Sequence, residues 1–425
     1  MEFNSFFNIS DKIAAAADKA LGLAKPQFEN IEKIAALNTQ KVLAAFIKNK
    51  VSEADLGGTT GYGYNDRGRE VIDAVFADAL GAESAMVRHF MLSGTHALTT
   101  ALFGVLRPGD VMLSVAGKPY DTLDEVIGIS GKGKGSLSEF GVIYKEISLK
   151  KDGTLDYDAI KIALSDKPKV VYLQRSRGYA VRPSIEVAYI EKLCGIVKSG
   201  SPESIIMIDN CYGEFVETRE PTEAGADLII GSLIKNPGGS FAESGGYIAG
   251  RPDLVELCSY RLTSPGLGAE IGATLGQNRN ILRGIYFAPM IVGEALKTAV
   301  FAAALFETLG YDCSPRFSDK RTDIVQQIIL NDPDALVAFC GGIQGGSPID
   351  SYVTPEAWDM PGYDSKVVMA AGAFVGGSSI ELSADGPIKP PYAAFMQGGV
   401  MFNAAKIGVV LAAQKLYEKG FLKNL

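Results

Sequence analysis

The sequence predicts an α/β protein with a large domain built on a mainly parallel sheet and a smaller C-terminal α+β domain. The first observation is an alternation, between residues 80 and 250, of short apolar β-rich runs and helical stretches. Strands that alternate with helices in this way pair in parallel and are covered on both faces. The second observation is a long Ala-, Val- and Leu-rich helical stretch over residues 285–310, after which the pattern becomes mixed.

Residues 1–55 are predicted to form an N-terminal helical arm. Ser10 can cap a helix that runs through Ile13 and Leu21, and Pro26 is predicted to open a second helix. The apolar residues of that second helix recur at helical spacing. An arm with one apolar face must pack either on the core of its own chain or on a partner subunit.

The large domain is assigned to residues 56–290. Its predicted strands are 111–115, 142–147, 170–173, 205–208, 228–230 and 247–249. Its predicted helices are 95–106, 185–198 and a short piece after Tyr120. Because parallel sheets bind ligands at the carboxyl ends of their strands, the residues that follow these strands are the first candidates for a site.

The smaller domain is assigned to residues 291–425. A strand is predicted at 335–340, a Gly- and Ser-rich stretch follows at 372–379, and a final helix is predicted at 403–417. The sequence has no internal repeat and no low-complexity linker. We therefore expect the domains to pack tightly.

The composition of the 425 residues excludes several classes of protein. Hydrophobic residues make up 47% and charged residues 21%, which is typical of a globular protein and excludes bulk disorder. The net charge of −8 argues against a nucleic-acid or anionic-membrane surface. The N-terminus does not resemble a secretory signal, and the longest uncharged apolar stretch, 367–377, is shorter than the ~20 residues of a membrane span. The expected location is the cytoplasm.

Metal and disulfide chemistry are not expected either. The five cysteines are scattered and have no CxxC spacing, and there are two histidines, His89 and His96. This pattern favours neither a disulfide framework nor a zinc site. A Ser-His-Asp hydrolase would have to use one of those two histidines.

Asp209 and Lys235 form the most informative pair in the sequence. Asp209 ends the apolar run IIMID, and Lys235 follows the next apolar run, LIIGS. In a parallel sheet both side chains would reach the same edge, where buried charges must be paired or used. A lysine in a dry pocket can form a Schiff base, and a nearby acid can keep a pyridine nitrogen protonated, as pyridoxal phosphate chemistry requires. The alternative is an ordinary ion pair or a solvated lysine.

Further residues support a phosphate and ring site. Ser93, Gly94 and Thr95 lie at a predicted strand-to-helix turn, where free backbone N–H groups can bind an anion. Simple helix capping is the alternative. Tyr120 follows a strand end and could stack on a ring, although a core or surface tyrosine is equally ordinary. Ser232 could donate its hydroxyl to the same phosphate, or it could be a turn serine.

The order Ser-Gly-Thr, Tyr120, Asp209, Ser232, Lys235 resembles the fold-type I pyridoxal-phosphate enzymes of cysteine and methionine metabolism. The resemblance is closest to the branch called the methionine gamma-lyase family or aluminium-resistance protein. It covers nearly the whole chain and includes the motifs GYGYNDRGRE at 61–70, IDNCYGEF at 208–215 and SPGLGAEIGA at 264–273. It implies the fold-type I transferase fold.

The resemblance implies a role for each matching residue. Lys235 would be the Schiff-base lysine and proton shuttle, and Asp209 would pair with the pyridine nitrogen. Ser93, Gly94, Thr95 and Ser232 would bind the phosphate, and Tyr120 would stack on the ring. Tyr64 and Arg67 would reach the phosphate of a neighbouring subunit, although the spacing in Tyr-Asn-Asp-Arg is one residue longer than in the family. A surface loop is the alternative for this last segment.

The sequence departs from the family pattern in three places, one of which is the arginine that binds the substrate carboxylate. Ile234 replaces a threonine before the lysine, Glu381 stands where a carboxylate-binding arginine is found, and QRSRGYA at 174–180 replaces an Asn-Pro element. A guanidinium suits a carboxylate, so another arginine is expected to bind the substrate. Arg177 is preferred because it follows a strand end, and a surface arginine is the alternative. The candidates are Arg175, Arg177, Arg182, Arg261 and Arg283.

The function that the resemblance implies is carbon–sulfur lysis of a sulfur amino acid by β- or γ-elimination, with Tyr120 as a candidate acid for the leaving sulfur. An aminotransferase, or a cofactor-binding protein with little turnover linked to metal resistance, is the alternative. The expected partners are an amino-acid substrate and further copies of the chain. The copies would form a homodimer or a dimer of dimers, that is a homotetramer, with shared active sites. No nucleic acid or membrane partner is expected.

Overall fold

A computed structural model of the chain describes residues 6–131 and 133–422. Two compact units are present: a large unit, Asn38–Phe287, and a small unit, Met1–Leu37 with Ala288–Leu425. The assignment of domains to 1–55, 56–290 and 291–425 stays a prediction.

The secondary structure alternates over the large unit as predicted. The α-helices are α1 (Asp11–Lys48), α2 (Arg67–Ala79), α3 (Gly94–Val105), α4 (Asp124–Ile127), α5 (Tyr157–Ala163), α6 (Val187–Gly200), α7 (Pro252–Leu262), α8 (Asn278–Thr308), α9 (Pro333–Gly345) and α10 (Phe402–Glu418). The strands are β1 (Ser84–Arg88), β2 (Val111–Ser114), β3 (Ile143–Glu146), β4 (Val170–Gln174), β5 (Ile205–Asp209), β6 (Leu228–Ser232), β7 (Gly246–Gly250), β8 (Asp312–Ser314), β9 (Gln326–Ile329), β10 (Val367–Ala370), β11 (Ser383–Pro387) and β12 (Ala393–Gln397).

The sheet of the large unit has the strand order β1-β7-β6-β5-β4-β2-β3. Strands β6, β5, β4, β2 and β3 run parallel, whereas β7 is antiparallel to both of its neighbours, β6 and β1. The predicted mainly parallel sheet is therefore confirmed. Strand β1 was not predicted; its run SAMVR is short and begins and ends with polar residues.

The central strands β4, β5 and β6 are buried along their whole length. Burial on both faces explains why they consist of apolar runs rather than of alternating polar and apolar residues. Apart from Tyr172 in the middle of β4, the polar side chains occur where these strands end. In the ladder, Gln174 of β4 pairs with Asp209 of β5, and Asp209 pairs with Ile230 of β6, so the three strands end at one edge.

The small unit contains an antiparallel sheet in the order β10-β11-β12-β9-β8, with α9 and α10 packed together beside it. The predicted strand at 335–340 is wrong, because these residues belong to α9. The Asp332 carboxylate accepts hydrogen bonds from the N–H groups of Asp334 (2.8 Å) and Ala335 (3.0 Å), and Pro333 occupies the first turn. A capped, buried apolar run of this kind cannot be distinguished from a strand by periodicity alone.

The N-terminal arm is one helix, so the predicted break at Pro26 is wrong. An internal proline costs a helix about 3 kcal/mol, since it removes a hydrogen bond and crowds the preceding turn. Burial compensates on both sides of the proline: Ile13, Ala17 and Ala20 are buried before it, and Val42 after it. The burial of these apolar side chains outweighs the local preference of the proline.

Helix α8 is long and apolar enough to cross a membrane by length and composition. However, 83% of its most apolar window is buried within the protein, as in a core helix.

Candidate active site

Lys235 lies in the turn that follows β6 and is partly exposed. Its Nζ is 4.2 Å from the centroid of the Tyr212 ring. Burial lowers the pKa of Lys235, but the neighbouring Cys211, Tyr212, Asp209 and Glu214 outweigh this effect and raise it. The lysine is therefore surrounded by groups that stabilise a positive charge at its nitrogen.

Asp209 is the last residue of β5, and only 5% of it is exposed. Its Oδ1 accepts a hydrogen bond from the Cys211 N–H (3.1 Å). Burial raises the pKa of Asp209, and the positive charge of Lys235 opposes that rise. A second cation in contact with this carboxylate would stabilise its ionised form further.

Ser232 and Gly94 meet where β6 ends and α3 begins. A Cβ atom on Gly94 would lie 3.4 Å from the Ser232 Cβ and 3.3 Å from the Cys211 Sγ, so the helix N-terminus packs directly on both residues. The Ser232 hydroxyl is buried and has no hydrogen-bond partner among the residues described. A buried hydroxyl without a partner, beside free N–H groups at a helix start, is a suitable place for a phosphate.

The neighbours of Gly94 extend this site. Ser93 caps α3, because its Oγ accepts a hydrogen bond from the His96 N–H (3.1 Å). The alternative interpretation of Ser93 as a cap is thus observed. Thr95 Oγ1 lies 2.7 Å from Thr122 Oγ1, which connects the start of α3 to the segment that carries Tyr120.

Tyr120 lies beside Gly178 and at the same edge as Gln174. A Cβ atom on Gly178 would be 2.9 Å from Tyr120 Cδ2 and 3.1 Å from Gln174 Nε2, so the glycine leaves room for both side chains. The Tyr120 ring centroid is 5.9 Å from that of Tyr179. Tyr120 thus borders the edge at which Asp209 ends its strand.

Gln174 is a candidate residue that sequence reasoning missed. It is 5% exposed, its Nε2 donates to the Ser176 carbonyl (3.1 Å), and its Oε1 has no partner in the described ranges. Its position opposite Asp209 in the ladder makes it a neighbour of the proposed ring site. The available signal was its place at the end of a predicted strand, where the family has an Asn-Pro element.

Tyr64 and Arg67 are on the surface. Tyr64 is 54% exposed and packs on Tyr62 with ring centroids 5.7 Å apart. The Arg67 side chain is 62% exposed, and its Nε lies 2.8 Å from Asp55 Oδ1. Their predicted contact with the phosphate of another subunit stays a prediction.

Arg69 connects two of the motifs that carried the resemblance. Its buried guanidinium donates to the carbonyls of Gly63 (2.7 Å), Gly272 (3.0 Å) and Glu270 (3.0 Å). The segments GYGYNDRGRE and SPGLGAEIGA are thereby held against each other, although about 200 residues separate them in the sequence. The role of Arg69 was not anticipated, because it depends on this long-range contact.

The five candidate arginines differ in environment. Arg175 is bound within the protein by Asn210 Oδ1 and Glu217 Oε2, both at 2.8 Å. Arg177 is 1% exposed, so the alternative of a surface arginine is wrong. Arg182 donates to the Gln174 carbonyl (3.1 Å), and its charge acts on Asp209. The remaining two are exposed and lie over phenylalanine rings: Arg261 and Arg283.

Glu381, predicted to stand where the family has a carboxylate-binding arginine, binds backbone N–H groups of its own unit. Its two carboxylate oxygens accept hydrogen bonds from the N–H groups of Phe374 (2.8 Å) and Val375 (3.1 Å). The carboxylate therefore fixes the backbone of the Gly- and Ser-rich stretch.

The chain is similar to several known proteins over nearly its whole length. A sequence profile of the family described as methionine gamma-lyase matches residues 13–417. The uncharacterized protein YnbB of Bacillus subtilis is 47% identical over 392 residues, which are 92% of this chain and 93% of that protein. A crystal structure of a carbon-sulfur lyase involved in aluminum resistance from Clostridium novyi has a TM-score of 0.93 and 47% identity and covers 96% of this chain and 97% of that one.

The fold is shared more widely. The pyridoxal-5'-phosphate dependent protein YhfS of Escherichia coli superimposes with a TM-score of 0.61 at 16% identity, covering 91% of this chain and 97% of that one. Together with the mainly parallel sheet and the separate antiparallel sheet, this confirms the fold-type I architecture. Since the profile spans almost the whole sequence, the chain belongs to the methionine gamma-lyase family.

Proposed function

We propose that this protein is a pyridoxal-phosphate-dependent carbon–sulfur lyase that acts on a sulfur amino acid. The observation that carries the proposal is the edge at which β5 and β6 end. Asp209 and Lys235 interact electrostatically there, and the Ser232 hydroxyl lies beside Gly94 without a partner among the described side chains. The carbon–sulfur lyase from Clostridium novyi, at 47% identity, supports the reaction class.

The residues present fit the cofactor. The buried Ser232 hydroxyl and the backbone N–H groups of Gly94 and Thr95 would hold its phosphate, and Ser93 would fix the start of that helix by capping it. Asp209 would keep the ring nitrogen protonated. The positive charge of that nitrogen would offset the cost of burying the Asp209 carboxylate. Tyr120 would cover the ring, and Gln174 lies at the same edge to hydrogen-bond to ring substituents.

The bound cofactor would supply an electron sink for the carbanion formed at the Cα atom of the substrate. Lys235 would hold the cofactor and then, as a free amine, accept the Cα proton at its Nζ. Asp209 would keep its charge opposite the ring nitrogen throughout. Tyr120 would donate a proton to the sulfur that leaves from Cβ or Cγ.

The substrate carboxylate requires a cation, and Glu381 does not supply one. Arg177 remains the preferred residue because it lies close to the end of β4. Arg182 is the second candidate, because its charge already acts on Asp209. The chain would work on a small amino-acid substrate in the cytoplasm, with no nucleic-acid or membrane partner.

Product analysis tests the reaction. Protein loaded with pyridoxal phosphate is incubated with cystathionine, methionine and cysteine conjugates, and thiol, 2-oxo acid and ammonia are measured. We expect all three products in equal amounts from at least one substrate. A new amino acid formed from an added 2-oxo acid would indicate an aminotransferase instead. Bound cofactor without any product would indicate a binding protein with little turnover.

We also propose a homodimer, or a dimer of dimers, with shared active sites. The surface positions of Tyr64 and Arg67 support it, since exposed side chains are available to a second copy. When equal amounts of Arg67→Ala and Lys235→Ala protein exchange subunits, half of the dimers are hybrids. Each hybrid has one intact site and one site with both lesions, so about a quarter of the wild-type activity should return in a two-fold dimer.

Subunit exchange is verified with differently tagged chains. If exchange occurs and the mixture stays inactive, Arg67 acts within its own chain and the shared site is rejected. Arg107→Ala mixed with Lys235→Ala serves as a control. Arg107 lies in the large unit and donates to backbone carbonyls of its own helix end, so that mixture should keep the activity of its Arg107→Ala subunits.

A further inference from the structure

The turn that follows β5 has an unusual backbone. Tyr212 has a φ of +71° and Phe215 a φ of +61°, a left-handed conformation that bulky residues rarely adopt. Such strain persists only where the surroundings impose it, and it is common at functional sites. In this turn the Tyr212 ring lies against Lys235. Glu214, the next acidic residue, is buried beneath the site.

Glu214 is fully buried and forms a hydrogen-bonded pair with a tyrosine of β7. Its Oε1 accepts a hydrogen bond from the Tyr247 hydroxyl (2.8 Å), whereas its Oε2 has no partner in the part of the chain that the structure describes. Tyr247 lies opposite Gly231 in the ladder, and a Cβ atom at position 231 would collide with both Tyr247 and Glu214. A glycine just before Ser232 is thus required for the pair to fit.

A hydrogen bond connects this pair to the lysine turn. The amide of Asn236, the residue directly after Lys235, donates through Nδ2 to the Glu214 carbonyl (2.9 Å). The charges of Glu214 and Lys235 also act on each other. A change of charge at the Glu214 carboxyl therefore changes the pKa of Lys235, although the two side chains form no ion pair within the described ranges.

The buried glutamates around this pair differ in whether a cation lies close enough to balance their charge. Arg175 pairs with Glu217 at 2.8 Å and lies 3.8 Å from Glu220. Within the described ranges no cation makes an ion pair with Glu214. The titratable groups that act on Glu214 are Tyr247, Glu220, Lys235 and Cys211. Burial is the main reason why the pKa of Glu214 rises to about 8.

We propose that Glu214 is a positioning residue that, paired with Tyr247, carries a proton near neutral pH and controls through that proton how tightly Lys235 holds its own. With Glu214 protonated, Lys235 gives up its proton more readily, so a larger fraction of it is the neutral, nucleophilic amine. With Glu214 ionised, the added negative charge retains the proton on Lys235. The importance of this control for catalysis rests on the proposed function, but the coupling itself is a property of the protein without cofactor.

The test measures how fast Lys235 of the cofactor-free protein is acetylated by acetic anhydride, because only a neutral amine reacts. Peptide mass spectrometry reports the rate from about pH 6 to about pH 10. In Glu214→Gln protein we expect the rate at about pH 9 to rise about tenfold, since one nearby charge in a buried site shifts a pKa by about one unit. At about pH 6 the rates should match those of the wild type, because Glu214 is then protonated.

A matched control is Asp73→Asn, which removes another carboxylate of the large unit, one that is paired with Arg88 at 2.8 Å. It should leave the acetylation of Lys235 unchanged at every pH. Tyr247→Phe provides a second variant. Loss of the hydroxyl that donates to Glu214 should raise the pKa of Glu214. The pH at which Glu214 ionises and slows the acetylation of Lys235 should then be higher. An equal rate change at both pH values, or no change in either variant, would overturn the proposal. If the acetylation rates follow the expected pH dependence but no lyase products form, the proposed function alone is rejected.

Discussion

Replacing Lys235 by alanine is expected to abolish covalent attachment of pyridoxal phosphate and to lower turnover by about 10⁴-fold or more. The lysine is both the attachment point and the acceptor of the Cα proton, and a positioned general base alone contributes up to about 10⁴-fold. The measurement is borohydride reduction of the cofactor-loaded protein followed by peptide mapping, with the wild type labelled at Lys235. Because Lys235 is partly exposed and its Nζ lies over the Tyr212 ring, truncation to alanine removes little buried packing and the fold should persist.

Lys198→Ala is the matched control for this experiment. Lys198 also belongs to the large unit, but its Nζ is paired with Asp227 at 2.7 Å. The control protein should be labelled at Lys235 to the same extent as the wild type. If the wild type carried the label at another lysine, or carried none when saturated with cofactor, the site assignment would be wrong.

Replacing Asp209 by asparagine is expected to lower turnover by about 10²-fold while the protein keeps its fold. Asparagine retains the shape and can still accept the hydrogen bond from Cys211, but it has no charge to hold a proton on the ring nitrogen. One pre-organised charge contact of this kind is typically worth about 10²-fold or more. Steady-state turnover with the best substrate, together with circular dichroism, provides the measurement.

Asp227→Asn tests whether the effect is specific to the active edge. Asp227 precedes β6, at the opposite end of the strand from Lys235, and its Oδ2 accepts from the Ile206 N–H (2.7 Å). Loss of its charge should lower the free energy of unfolding and leave turnover nearly unchanged. Equal losses of turnover in both variants would show that Asp209 is only structural.

The strand ends were predictable from the sequence. Asp209 and Lys235 each follow an apolar run, and a strand that is buried on both faces must be apolar until it leaves the sheet. The start of α3 was equally predictable from the sequence, because Ser93 is a good helix cap and Gly94 allows other groups to approach the helix start closely. These features depend on residues that are neighbours in the sequence, so local patterns contain them.

Other features were misjudged because packing outweighs local preference. Pro26 usually breaks a helix, but the buried apolar residues on both sides of it keep α1 continuous. The apolar run at 335–340 fits a strand as well as a buried helix, and the cap at Asp332 supports the helix. In both places the free energy of burying side chains is larger than the intrinsic preference of the backbone.

By itself, then, the sequence determined the architecture of the large unit, the Schiff-base lysine candidate and its acidic partner, since periodicity and strand ends are local properties. Only the tertiary structure decided which distant residues meet. It brought Tyr247 onto Gly231 and Glu214, placed Gln174 opposite Asp209, and joined the segments around Gly63 and Gly272 through Arg69. The physical reason is that these contacts depend on strand register and on burial between segments far apart in the chain, which no local pattern encodes.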